Sequence, residues 1–353
     1  MSAAEPGLTA YDSIQHWART MKPDCAFEGE GRKDYMAWRR RFQPRYRGCI
    51  GPWPAPVPLR LRLRDVADQG DHVRKRVLYD SCAGVTVPAY LLEPKGLGRG
   101  EKRPALLAAH GHGAGACDIA GVTRENGSDA AKAKVARLNY EYALEAVRWG
   151  YVVIAPDWCP FGERTPPVEW TRASRDACNM TDLAWQYFGR SLLNQNIWDG
   201  MRAVDVLWNH PNVDRRRTGV IGLSFGGTMA THMLINDPRL RAGVVSGYIS
   251  TIRSDALNMR GKGNTCGAQH VPGILRHGDI ADMLGLAVPK PVLFEMGRNE
   301  SCFHYPDMRR AYAHLKRIYE AAGRPECIDH DTHPNGHMWS GKKAWAWLEK
   351  WLG

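Results

Sequence analysis

The sequence predicts an α/β protein: a mainly parallel, twisted sheet covered by helices on both faces, with a helical N-terminal extension and one cap insertion. Three observations carry this expectation. From about residue 72 onward, short strand-like runs alternate with stretches of helical period. Several of the runs, Tyr151 to Ala155 among them, are apolar throughout, as strands buried on both faces are. A serine flanked by glycines then stands between a strand-like and a helix-like stretch.

The chain has 353 residues, 44% hydrophobic and 24% charged, with 36 Gly and 22 Pro, which argues against disordered and fibrous classes. Its length fits two domains or one large α/β domain with insertions. Apolar stretches such as Gly150 to Ala155 fall far short of the roughly 20 residues of a membrane span. Asp12, His16, Arg19 and Lys22 lie where a signal peptide needs an apolar core. The nine cysteines are scattered without a C-x-x-C pair, which argues against a disulfide framework and a zinc module. A cytoplasmic location is therefore expected. The formal charge of +11 gathers near the N-terminus, in Arg39 to Arg41, Arg45, Arg47, Arg60, Arg62, Arg64 and Arg74 to Arg76. No nucleic-acid module surrounds these residues. They are read as a solvated or subunit-facing surface, which admits a homo-oligomer and calls for neither nucleic acid nor membrane.

Residues 1–72 form the extension: Tyr11 to Met21 and Asp34 to Phe42 have helical spacing, and a Pro-rich run from Pro52 to Pro58 breaks the chain. The catalytic domain is expected over 73–353. Strands are expected at Val73 to Tyr79, Val85 to Leu92, Pro104 to Ala109, Tyr151 to Ala155 and Thr218 to Leu223, then at Ala242 to Ser246, Pro291 to Glu295 and Glu326 to Asp331. Helices are expected at Glu141 to Trp149, Ile197 to Trp208, Gly226 to Asn236, Pro306 to Ala322 and Lys342 to Trp351. Residues 158–196 are too long for an ordinary connection and are rich in aromatics, so they are expected to be a cap or lid.

The strongest chemical signal is Gly222-Leu223-Ser224-Phe225-Gly226-Gly227. A nucleophile elbow needs this pattern, because the serine sits in a strained strand-to-helix turn where neighbouring side chains would clash. The helix start that follows favours developing negative charge. A second signal, His110-Gly111-His112-Gly113, follows the buried run at Leu106 and Leu107. A loop there can donate a backbone N–H to an oxyanion together with the residue after the serine, making His112 and Phe225 the candidate oxyanion donors. Two histidines are at most half of a zinc site, so no metal is expected and His110 is read as bonding loop backbone. Among thirteen histidines, His337 is the candidate base, in a Gly-containing loop past the last strand, with His333 and His330 as strand or packing residues. Glu300 is the one carboxylate in the loop after Pro291 to Glu295 and is the candidate acid; Asp307, at the start of the next helix, is the competitor.

These residues, with Ala155-Pro156-Asp157, Phe161-Gly162-Glu163-Arg164, Cys266-Gly267 and Pro272-Gly273, make the stretch from about 73 to 353 resemble the dienelactone-hydrolase-like and acetyl-xylan-esterase-like branch of the α/β-hydrolases. The resemblance implies a Ser-His-Glu triad, no cofactor and an ester substrate. Two departures stand out: a serine rather than cysteine at the elbow, and Glu300 followed by His304 in a loop where the branch carries Asp and then Pro. Trp158, Trp185 and His110 are expected to wall the substrate pocket, favouring a small acyl group on a sugar or aromatic alcohol. The rival readings are a peptidase or amidase of the prolyl-oligopeptidase type and a non-catalytic binding protein on the same fold.

Overall fold

The structure, a computed structural model, describes residues 7–171, 176–257 and 266–353. Strands β1 (Arg62–Asp68), β2 (His72–Cys82) and β3 (Val85–Pro94) form an antiparallel meander, and β3 pairs antiparallel with β5 (Val152–Pro156). From there β4 (Arg103–Ala109), β6 (Val213–Leu223), β7 (Ala242–Ser246), β8 (Val292–Gly297) and β9 (Ile328–His333) continue in parallel. The sheet order is β1-β2-β3-β5-β4-β6-β7-β8-β9. The period of two explains the apolar runs. In β4, Leu107 faces one core with Ile154 and Val220, while Leu106 and Ala108 face a second core with Val153 and Ile221.

Helices α1 (Ala10–Thr20) and α2 (Arg32–Ile50) precede the sheet. Between β4 and β5 run α3 (Ala116–Ile119), α4 (Val122–Asn126), α5 (Asp129–Arg137) and α6 (Tyr142–Arg148). Between β5 and β6 run α7 (Val168–Thr171), α8 (Ala177–Gln186) and α9 (Leu192–Asn209). Next, α10 (Phe225–Asn236) follows β6, α11 (Ile280–Gly285) precedes β8, α12 (Tyr305–Ala321) joins β8 to β9, and α13 (Ala344–Leu352) ends the described chain.

Two expected boundaries move. The sheet begins at Arg62, inside the stretch read as extension, with β1 as an edge strand whose Leu63 and Val66 are exposed. Its charged residues masked the strand pattern, and charge is how edge strands discourage pairing with other chains. The extension is also packed into the fold rather than appended to it. Helix α2 runs on through Pro44 to Ile50 and buries Tyr35, Trp38, Phe42, Tyr46 and Ile50 along one face. Arg39 donates to the carbonyls of Leu286 (2.7 Å) and Val288 (3.1 Å), and Trp38 Nε1 donates to Cys25 O at 2.8 Å. The segment 158–196, expected to be a cap, does not end as one unit. Residues 172–175 lie outside the described residues, and 192–196 are the buried start of α9, capped by Ser191, whose Oγ accepts from Asn194 N at 3.0 Å.

Candidate active site

The site is assembled at the carboxyl ends of the parallel strands, where open α/β sheets bind ligands. Ser224 joins β6 to α10 with φ 63° and ψ −122°, a conformation that costs a non-glycine residue roughly 1–3 kcal/mol. Its amide donates to Ser246 O at 3.0 Å. The glycines follow from crowding: a side chain at Gly222 would collide with the backbone of Gly226, and one at Gly226 with Ala109 O. Phe225 opens α10, so its amide has no acceptor within the helix and the positive end of the helix dipole lies beside Ser224.

The loop leaving β4 crosses directly over this turn. A Cβ at Gly111 would stand 2.8 Å from Leu223 O and 3.1 Å from the Ser224 Cβ. His110 is fully buried, with Nδ1 2.8 Å from Gly111 O and Nε2 accepting from Trp158 N at 3.0 Å. Burial first of all holds its pKa below the ordinary histidine value. His112, by contrast, is exposed, with its ring 5.2 Å from that of Phe161 and Nε2 3.1 Å from Cys266 Sγ. Asp157 braces the loop. Its Oδ1 accepts from Ala116 N at 2.7 Å and its Oδ2 from Glu163 N at 3.2 Å, and Arg76 lies 3.7 Å away. Gly162, at φ 59°, lies so close to this carboxylate that no side chain fits. Arg164 donates to the buried Asp199 at 2.7 Å and to Asp157 O at 3.2 Å.

His337 reaches the cavity because two loops are stitched together. Arg298 N donates to His333 O (2.9 Å), Asn299 N to Asn335 O (3.2 Å) and Asn299 Nδ2 to Pro334 O (2.6 Å). This sets His337 Nδ1 2.9 Å from Glu300 Oε1, a short contact that is not aligned as a hydrogen bond. Glu300 Oε1 also accepts from Cys302 N at 2.9 Å, and its side chain is only 1% exposed. Burial disfavours the charged His337, but the Cys302 thiol and the Glu300 carboxylate outweigh it and push the pKa up to about 9.

The competing residues are engaged elsewhere. Asp307 pairs with Arg310, lies 2.7 Å from His304 Nδ1 and accepts from Ser254 Oγ at 2.5 Å. His333 is buried at the end of β9, and His330 meets the Tyr312 ring edge-on at 4.7 Å. Glu295, buried in β8, accepts from Ser340 N (3.0 Å) and Gly341 N (2.8 Å), and burial pushes its pKa up to about 7.

A cavity of about 420 Å³ is lined by Ser224, His337, His112, Cys266, Gln269 and Phe303, with the charged Lys134, Arg137 and Asp176 also in its wall. Gln269, Cys302 and Phe303 are shared with a second, more apolar chamber of about 400 Å³ that reaches Tyr248, Ile274 and Ile280. The expected aromatic wall is not there. Trp158 is fully buried and packs beside His110 and Gly200, because the chain turns inward straight after β5. Trp185 stacks under Arg190 and beside Phe188, away from this cavity, and His110 is spent on backbone. Phe303 and Cys302 lie in the loop already singled out for Glu300, so their place could have been read from it. Lys134, Arg137 and Gln269 carry no such signal.

Among the described residues, two groups of side chains have metal-ligand character. The donor atoms of His112, Cys178 and Cys266 lie within 4.8 Å of one another, as do those of Glu300, Cys302 and His337.

A family model described as the Abhydrolase family matches residues 5–345. YtaP of Bacillus subtilis, a protein named as a hydrolase, is 23% identical over 312 residues, covering 86% of this chain and 96% of YtaP. A Bacteroides fragilis protein described as an acetyl xylan esterase superposes with a TM-score of 0.75 at 16% identity, covering 92% of this chain and 82% of that one. A glucuronoyl esterase from Solibacter usitatus superposes with a TM-score of 0.65 at 17% identity, covering 95% and 98%. At such identities the shared property is the α/β-hydrolase fold.

Proposed function

The chain belongs to the Abhydrolase family, and from that premise we propose that it is a serine hydrolase of carboxylic esters, acting through Ser224, His337 and Glu300. Ser224 attacks the ester carbonyl, and His337 accepts its proton and returns it to the leaving alcohol. The amides of Phe225 and His112 receive the oxyanion. Water then repeats the sequence on the acyl-enzyme, with Glu300 stabilising the imidazolium and holding its tautomer. The observation that carries the reading is that the strained Ser224 shares a cavity with His337, whose Nδ1 lies 2.9 Å from a buried carboxylate. The neighbours described as acetyl xylan and glucuronoyl esterases agree with the ester bond as target.

On this reading the apolar chamber behind Phe303 receives one side of the ester, and the polar side lies by Lys134, Arg137 and Asp176. Labelling by a fluorophosphonate probe, with turnover of acetyl, butyryl, benzoyl, lactone and peptide substrates, tests the proposal. Ester turnover that disappears in Ser224→Ala is the expected outcome. An unlabelled protein, or peptide cleavage outpacing ester cleavage, overturns it.

A further inference from the structure

Beside the cavity, three donors arrive from three separate parts of the chain: His112 from the loop after β4, Cys178 from the first turn of α8, and Cys266 from the segment leading to Gln269. His112 and Cys266 are 154 positions apart in sequence, yet Nε2 and Sγ are 3.1 Å apart. No sequence spacing announces such a group, which exists only in the folded chain.

We propose that His112 Nε2, Cys178 Sγ and Cys266 Sγ bind a thiophilic closed-shell cation of the zinc(II) class. Tetrahedral zinc with Zn–S near 2.3 Å and Zn–N near 2.1 Å sets its ligand atoms about 3.6–3.8 Å apart. The three donor atoms here are 3.1 Å apart for one pair and within 4.8 Å for all, so small side-chain rotations suffice. The donor chemistry is selective. Two thiolates and an imidazole favour zinc and other soft cations over magnesium or calcium, which take oxygen ligands. Charge balance agrees, since two thiolates and a neutral imidazole offset a divalent ion, and no net charge is left at two cysteines that are buried or half-buried.

The surrounding backbone is already held. Asp176 Oδ1 accepts from Cys178 N at 2.7 Å, and Gly267 N donates to Asn179 Oδ1 at 2.8 Å, so α8 and the 266–269 segment are fixed to each other. Gly267 packs so closely on Cys178 O that a Cβ would stand 2.6 Å from it. Three protein ligands leave a fourth position for a water molecule, open to the cavity that His112 and Cys266 line. The ion therefore ties the β4 loop, α8 and the Gln269 segment into one wall. The inference does not rest on the esterase reading, because it concerns binding and not turnover.

The test uses the full chain, kept under a phosphine reductant and stripped of metal. Titration with cobalt(II) should saturate at one equivalent, with thiolate-to-cobalt charge-transfer absorption and the visible bands of a tetrahedral ion. Zinc should displace the cobalt and raise the melting temperature. Cys178→Ser and Cys266→Ser should each weaken binding by about 100-fold or more, while Cys302→Ser, which disrupts only the second donor group, should bind as before. If a serine variant does not fold, X-ray absorption of the zinc-loaded unmutated protein decides, with two sulfurs and one nitrogen expected in the first shell. Cobalt spectra without thiolate bands, a first shell lacking sulfur, or binding lost in Cys302→Ser but kept in Cys178→Ser would overturn the proposal.

Discussion

The Tyr46 hydroxyl stands 2.8 Å from Nδ1 of His232, joining helix α2 near the N-terminus to α10, the helix headed by Ser224. Asn236 Nδ2 donates to the same hydroxyl at 2.7 Å, so Tyr46 is the donor to His232. Burial alone pulls the His232 pKa down to about 3, which keeps the ring neutral and able to accept. The N-terminal segment is thus part of the support behind the candidate nucleophile.

Tyr46→Phe is expected to leave Nδ1 of His232 without its donor and to cost about 1–3 kcal/mol. Trp38→Ala, which empties a fully packed position, should cost about 3–5 kcal/mol. Denaturant melts read both. If deletion of residues 1–50 left the melting profile unchanged, α2 would be an appendage after all.

Ser224→Ala should lower ester turnover by about 10⁶-fold, the loss typical of a removed triad nucleophile. It should preserve or slightly raise stability, because alanine removes a hydroxyl but leaves the strained turn. Residual activity within tenfold of the parent enzyme would place the chemistry on another residue.

Glu300→Gln should reduce turnover by roughly 10²–10⁴-fold, whereas Asp307→Asn should act on stability through its contacts with Arg310, His304 and Ser254. The pH dependence gives a second readout. His337 must be neutral to accept a proton, and its pKa is held up at about 9 despite burial. Activity should therefore rise with pH through a range well above the ordinary histidine value. Removing the Glu300 charge removes one of the effects that raise this pKa, so the acid limb of kcat/KM should move to lower pH. Stability runs the other way: the protonated ring contributes below the unfolded value, and that contribution is lost as pH rises through the folded one. An acid limb that stays put in Glu300→Gln would mean another group controls His337.

Asp157→Asn is expected to disturb the loop that carries His112. An amide can replace only one of the two oxygens that accept from Ala116 N and Glu163 N. Turnover should fall with a smaller change in KM, because the oxyanion donor matters most in the transition state. Equal loss in both parameters, or none in either, would speak against this bracing role.

Phe303→Ala should enlarge the passage between the two chambers and shift preference toward bulkier esters. Trp158→Ala should instead lower stability by about 3–5 kcal/mol with the specificity ratio unchanged, since that ring is wholly inside the core. The two variants, assayed on acetyl and benzoyl esters, separate a pocket wall from a packing residue.

What the sequence made legible follows from how local each signal is. The run of glycines about Ser224 is a local steric requirement, and β4, the second half of β6 (Thr218 to Leu223) and β7 are short, mostly apolar buried runs that suit a doubly covered sheet, so elbow and sheet could be read directly. His337 and Glu300 followed from their places after particular strands. The walls of the cavity could not be read in this way. Trp158 has the composition of a binding surface, but the chain direction after Pro156 turns it inward. Cys178 and Cys266 meet only because α8 and the 266–269 segment fold over the same loop. β1 escaped notice because an edge strand exposed on both sides has no apolar face to betray it.

The division between a rigid sheet and the loops around the cavity also bears on how such a protein can change over generations. Ser224 and His337 hang from the end of β6 and from a loop stitched to the β8 loop, so their positions are fixed by the sheet. Lys134, Arg137, Asp176, Gln269 and Phe303 sit on connecting segments outside the sheet. Substitutions at Lys134, Arg137 and Phe303 can therefore reshape the cavity at lower cost to the sheet than changes at the elbow beneath it.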